Sequence, residues 1–391
     1  DESLPIGTRV HSKMIHDLAY EFQELGHKSI IITPGDPKQG TALVKDLVEG
    51  VEVWRFQSGY TRGVGLLRRV INEWLFSYKA WIAIENEVKT DTFDLCINYS
   101  PTIFFGPLTK RFRRRGTYVY LVLRDFFPQW IIDQGIISRW SPAAFFLKRY
   151  EKINYVMADC IGVMSKANLD VFCARFPLFQ NVKILMNWTT TDSLPRLAGK
   201  IEIREANDLT GKIIFFYGGN LGYSNDMANI VRLAKNLIEY ERAHFLIIGQ
   251  GDEFQLVEDL KDLWALTNLT ILPSVSQRDF LDILAQVDVG LFSLSRNHTA
   301  HNFPGKLLGY MAHSIPILGS INVGNDLQEL INATRAGLVC VNGDDDLLTE
   351  AALRLLDNND LRAEFGKNGR ELLLQKFSVK SAAQNILSEI N

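Results

Sequence analysis

The strongest chemical signal in this chain is a lysine one residue into an expected helix. In "RNHTAHNFPGKLLGYMAHSIPILGS" (296–320) a polar loop carrying Arg296, His298 and His301 runs through Pro304 and Gly305 to Lys306. A cation in a first helical turn opposes the helix dipole, and a bound anion would reverse that cost. An exposed lysine in a decorated loop is the alternative. A second device is "FFYGGNLGYSNDMANIVRLAKNL" (215–237), where an apolar run stops at Gly218 and Gly219. Gly222 follows, and a helix is expected from about Asn225. Unpaired N–H groups at a helix start carry partial positive charge, and glycines let an anion approach them. Gly218, Gly219 and Gly222 therefore suit a diphosphate, although the same residues would also make a tight turn with no ligand.

Other stretches offer weaker chemistry. "LIIGQGDE" (246–253) repeats the turn with Gly249 and Gly251, but Asp252 and Glu253 at its helix start would repel phosphate. It reads as a structural turn, or as a contact to the uncharged part of a nucleotide. "VLRDFFPQWIIDQG" (122–135) ends a strand with Arg124 and Asp125. Asp125 could bind sugar hydroxyls or act as a base; the two could instead form an ion pair that closes the turn. In "NGDDDLL" (342–348) Asp344 or Asp345 is expected to cap a helix rather than hold a metal.

The elements that must position these residues follow from apolar runs alternating with helical patterns. Strands are expected at 28–34, 51–56, 94–100, 117–125 and 160–165, then at 212–219, 244–252, 269–275, 287–294, 314–320 and 336–341. Such alternation means α/β architecture with parallel sheets covered on both faces. The pattern occurs twice, with a polar break over 187–211. This divides the chain into 1–190, 191–377 and a terminal helix, 378–391, expected to pack back on the first domain. Two doubly wound domains facing across a cleft would bind ligand at strand carboxyl ends. The chain opens with "DESLPIG" and a helix from about Thr8, so the first strand expected of such a domain is missing from the sequence.

Charge separates the halves. Residues 1–190 hold 24 Lys and Arg against 19 Asp and Glu, and the remainder 18 against 26. Two stretches, 61–81 with Arg62, Arg68 and Arg69 and 104–116 with Lys110, Arg111 and Arg113, interleave bases with large apolar residues. That mixture fits an anionic membrane surface. A pI near 6.2 argues against nucleic acid. Cys96, Cys160, Cys173 and Cys340 form no CxxC pair and read as reduced thiols of a cytoplasmic protein. No run is long and apolar enough for a membrane span, and no signal peptide is evident.

Taken together, these segments resemble family 4 glycosyltransferases of the two-Rossmann, GT-B type. Gly7 and "LGHKSIIITP" (25–34), "VKILMNW" (182–188) with Asn187, the glycine turn, the "GxG" at 249–251 and "KLLGYMAHSIPIL" (306–318) carry the likeness. "RDFFPQWIIDQG", "YGGNLG" and "NFPGKLLGYM" are similar to O-antigen and capsule N-acetyl-L-fucosamine transferases. There are departures. The family's two glutamates, eight apart, fall at His301 and Gly309, and the arginine of its glycine turn is Asn220.

The resemblance implies a retaining transfer of an N-acetylated 6-deoxyhexosamine from a UDP-linked donor to a lipid-diphosphate-linked saccharide, at the inner membrane face of a bacterium. It implies no metal and no further cofactor. Lys306 and Asn220 would stabilise the leaving diphosphate, with Asp125 on donor or acceptor sugar. Gly7, His301, Pro304 and Gly305 would line the donor site with the glycines of the turns. A sugar-nucleotide epimerase and a non-catalytic sugar-nucleotide-binding protein stay open as alternatives.

Overall fold

The computed structural model describes residues 10–61, 63–90, 92–100, 102–133, 135–190, 202–296 and 303–390. Two compact units divide it: Asp1–Thr189 with Val379–Asn391, and Thr190–Ser378.

The first unit contains two sheets. One holds β1 (Ile30–Gly35), β2 (Leu43–Val48) and β3 (Val51–Gln57) in the order β1-β3-β2. β1 and β3 are parallel, but β2 runs antiparallel to β3. β2 is a departure from the all-parallel expectation. The chain reverses at Glu49 and Gly50, whose φ values of 46° and 85° are both positive, the geometry of a two-residue hairpin turn. The second sheet is parallel, with β4 (Leu95–Tyr99), β5 (Tyr118–Leu123), β6 (Cys160–Val163) and β7 (Val182–Ile184) in sequential order. The terminal helix Val379–Leu387 belongs to this unit. Its Val379, Ala383 and Ile386 join Met14, Leu18 and Phe22 of the Val10–Glu24 helix in one apolar cluster.

The second unit is a six-stranded parallel sheet. Its strands are β8 (Ile213–Asn220), β9 (Ala243–Gln250), β10 (Leu269–Pro273), β11 (Val289–Ser293), β12 (Ile317–Ile321) and β13 (Gly337–Val341), ordered β10-β9-β8-β11-β12-β13. The order reverses beside β8, so the carboxyl end of β8 is the switch point at which such sheets bind ligands. Every residue of β11 and β12 is buried, because helices cover both faces. Phe215 stacks on Phe245 on one face, while Phe216 meets Phe280 and Tyr310 on the other. The Met227–Asn236 and Asp345–Asp357 helices cover the first face.

Candidate active site

The carboxyl end of β8 is built by close backbone approach. A β-carbon at Gly249 would lie 1.8 Å from the carbonyl oxygen of Gly219, so β9 can pass β8 only as glycine. Gly219 itself has φ +120° and open space beside it, with Lys306 Cε nearest at 3.9 Å. Gly218 and Gly251 are held to glycine by the Phe280 ring and the Leu221 carbonyl respectively, whereas at Gly222 a β-carbon would meet only the movable end of the exposed Asn220 side chain. Tyr310, fully buried, fixes the strand end from below. Its hydroxyl donates to Leu291 O at 3.0 Å and accepts from Gly218 N–H.

Lys306 opens the helix Lys306–Ala312, with Gly305 at the N-cap and Pro304 before it. Its stem is partly exposed but its ammonium is buried, and among the described residues Nζ has no hydrogen-bond partner. The ammonium sits over the Tyr217 ring, 3.2 Å from the centroid. Desolvation holds its pKa well below the ordinary lysine range. A buried cation left without a counter-charge is costly. Asn220 ends β8 with an exposed side chain, and its backbone carbonyl accepts from Tyr217 Oη at 2.8 Å and from Asn225 Nδ2 at 3.0 Å.

The helix start expected to help bind the anion is occupied. The helix begins at Met227, two residues later than expected, and the carboxylate of Glu253 accepts its first N–H at 2.9 Å. Glu253 is buried and complements the helix dipole from the neighbouring βα loop. Its placement shows why Asp252 and Glu253 follow the second glycine turn: one acid of that loop serves the adjacent helix. Glu253 also borders a polar pocket of about 460 Å³ with Asp226, Arg232, Arg296 and Asn342. In the acidic triplet, Asp344 accepts from Leu347 N and caps its helix, while Asp345 pairs with Arg232 at 2.8 Å.

In the first unit, Arg124 and Asp125 part company instead of pairing. The Arg124 guanidinium turns onto Trp188 and Tyr99, with centroids at 4.6 and 5.6 Å, and donates to Leu185 O. Asp125 keeps a buried Oδ1 with no partner among the described residues. Burial raises its pKa to about 6, against a hydrogen bond from the Phe127 backbone that lowers it. Its carboxyl lines a cavity of about 1710 Å³ inside this unit, with Thr33 and Pro34 of β1, Asn98 of β4 and Phe127.

Gly7, His298 and His301 lie outside the described residues. Gly309 sits mid-helix, where an added β-carbon would meet only Leu284 Cδ1 at 3.5 Å. The basic stretch 104–116 departs from expectation. Phe104 and Phe112 are core residues and Phe105 is partly buried, so little apolar surface accompanies the exposed bases of the segment.

Residues 199–372 match the family profile described as glycosyl transferases group 1. The probable glycosyltransferase WbjE of Pseudomonas aeruginosa is 27% identical over 267 residues, which is 66% of this chain and 64% of that protein's length. Among solved structures, WaaG, a glycosyltransferase involved in lipopolysaccharide biosynthesis, superposes with TM-score 0.63 at 14% identity, covering 97% of this chain and 95% of its own. A trehalose-6-phosphate structure from E. coli, bound with UDP-2-fluoro glucose, gives TM-score 0.66 at 13% identity, covering 99% and 96%. The chain thus has the two-domain GT-B fold, and its second unit is the part that matches the glycosyl transferases group 1 profile.

Proposed function

We propose that this protein is a retaining glycosyltransferase that takes its sugar from a UDP-linked donor. One observation carries the reading: a buried lysine ammonium beside Gly219, without a hydrogen-bond partner among the described residues, at the switch point of the unit that matches the group 1 profile. A donor diphosphate supplies the counter-charge that Lys306 lacks, and Asn220 stands within the same turn to share it. The anomeric carbon–phosphate oxygen bond breaks. The acceptor hydroxyl oxygen bonds to the same face, and its proton passes to the departing diphosphate. Charge developing on that diphosphate strengthens its contact with Lys306, which is preorganised electrostatic catalysis. Asp125 is assigned to a sugar hydroxyl.

The donor sugar is proposed to be an N-acetylated 6-deoxyhexosamine and the acceptor a lipid-diphosphate-linked saccharide of O-antigen or capsule synthesis. The likeness to WbjE supports glycosyl transfer, that to WaaG supports a lipopolysaccharide setting, and the UDP-2-fluoro glucose in the E. coli structure supports the nucleotide. The reaction is placed at the cytoplasmic membrane face, met by the basic first unit. Binding without turnover is a second reading, favoured by Gly309 standing where the resemblance expects a glutamate. Thermal denaturation with UDP, GDP and ADP tests the donor. A ligand at a hundred times its Kd stabilises by about 2.7 kcal/mol. Stabilisation by UDP alone is expected, and GDP or ADP selectivity would reject the UDP donor.

A further inference from the structure

The helix Leu66–Trp74 turns an apolar stripe toward solvent. Leu67, Ile71 and Trp74 are exposed at helical spacing, and Tyr78 and Ile82 continue the series on the following helix, Phe76–Thr90. Leu67 is 75% exposed. The core is served by a different set on that second helix: Phe76, Ala80, Ile84 and Val88, all buried.

A second element widens the stripe. The Trp74 ring meets Phe146 at 6.5 Å and its indole N–H donates to Tyr150 Oη, both on the helix Pro142–Met157. Beside them stand Trp140 and Phe145, 70% and 60% exposed. Large apolar side chains grouped like this mark an interaction surface.

The charge around the patch is mostly basic. Within 66–90 and 136–156 the acidic residues are Glu73, Glu85, Glu87 and Glu151. Glu73 is paired with Arg69 at 2.8 Å, Glu85 with Lys89 at 3.9 Å and Glu87 with Lys45 at 2.6 Å, while Glu151 is buried, accepting from Tyr155 Oη. Arg68, Arg139, Arg149 and Lys152 are exposed, with no carboxylate partner among the described residues. Arg139 lies over the Trp140 ring at 4.7 Å.

The geometry points to this face, formed by Leu66–Trp74, Phe76–Thr90 and the 136–156 segment, as a docking surface for an anionic lipid bilayer. Tryptophan, phenylalanine and leucine side chains enter the interface, and the arginine ring meets lipid phosphates. The surface rests on the membrane setting proposed above but not on the donor assignment; it takes in most of the 61–81 stretch that the sequence singled out and leaves out the 104–116 stretch.

Co-sedimentation of the 391-residue chain with phosphatidylcholine vesicles, with and without phosphatidylglycerol, tests it. Binding is expected only with phosphatidylglycerol. Leu67→Ser with Trp140→Ser and Phe145→Ser should cut partitioning at least tenfold. Arg68→Gln with Arg139→Gln and Arg149→Gln should cut it about fivefold per residue. Lys110→Gln with Arg114→Gln should bind like wild type. All are exposed positions, so unchanged melting temperatures verify folding. Equal partitioning with and without phosphatidylglycerol, no loss in either triple variant, or an equal loss in the 110/114 variant would overturn the assignment. A wild-type dimer that becomes monomeric in the apolar triple variant, without vesicle binding, would overturn it in favour of a protein interface.

Discussion

Replacing Lys306 by methionine is expected to move stability and affinity in opposite directions. The lysine ammonium is buried over the Tyr217 ring with no hydrogen-bond partner among the described residues, so the ligand-free protein bears the desolvation of a charge it does not use. Methionine fills similar volume without that charge. Removing an unsatisfied buried polar group recovers about 1–3 kcal/mol, or about 2–4 °C per kcal/mol of melting temperature in a domain of this size. Loss of a charge-assisted contact to diphosphate should weaken UDP binding by about 1.5–3 kcal/mol, on the order of 10- to 150-fold in Kd. The pH dependence has a definite sign. Burial depresses the folded-state pKa of Lys306 below 10.5, so the unfolded chain binds more protons between the depressed value and 10.5. Wild-type stability should therefore gain from this group as pH rises through that window, and Lys306→Met should lack that gain. UDP restores the charge, so calorimetry in buffers of different ionisation enthalpy should show proton uptake on binding at alkaline pH, absent in the variant. A Lys306→Met protein that melts lower than wild type and binds UDP unchanged would refute the reasoning.

Three further outcomes are expected. Asp125 has its carboxyl raised from 3.8 to about 6; stability from this group is full below 3.8 and lost as pH rises through 6, by about 3 kcal/mol. Urea midpoints from pH 4 to 8 should show that loss, and Asp125→Asn should flatten it while lowering transfer activity. Glu253→Gln should cost about 1 kcal/mol by removing the charge at the start of the Met227–Asn236 helix, seen as a lower denaturation midpoint. Gly309→Ala should raise stability by about 0.5–1 kcal/mol, since its β-carbon meets only ordinary contact at Leu284, and Gly309→Glu should fold and tighten UDP binding in the same thermal assay.

The six strands of the second unit were legible because they are nearly continuous apolar runs, as burial on both faces requires. β2 was not. Its sequence LVKDLV mixes charge into an edge strand, and the clue was the Glu49-Gly50 turn. Gly218, Gly219 and Lys306 could be singled out as separate signals, but their adjacency is tertiary, as is the burial of the ammonium without a partner among the described residues. Glu253 was visible as a helix-start acid, yet nothing local says that it caps a helix beginning 26 residues earlier. Phe104, Leu108 and Phe112 recur every four residues beside bases, much as Leu67, Ile71 and Trp74 do. One set is buried and the other exposed, and only the neighbouring elements decide which.

The most direct test of the central assignment is incubation of the purified chain with a UDP-linked N-acetyl-6-deoxyhexosamine and a lipid-diphosphate-linked saccharide, with both products followed by mass spectrometry. The expected outcome is an acceptor heavier by one sugar residue, UDP released in equal amount, retained anomeric configuration, and no product from Lys306→Met. A donor sugar returned as its epimer with the acceptor untouched, or a donor bound and recovered unchanged with every acceptor offered, would contradict it.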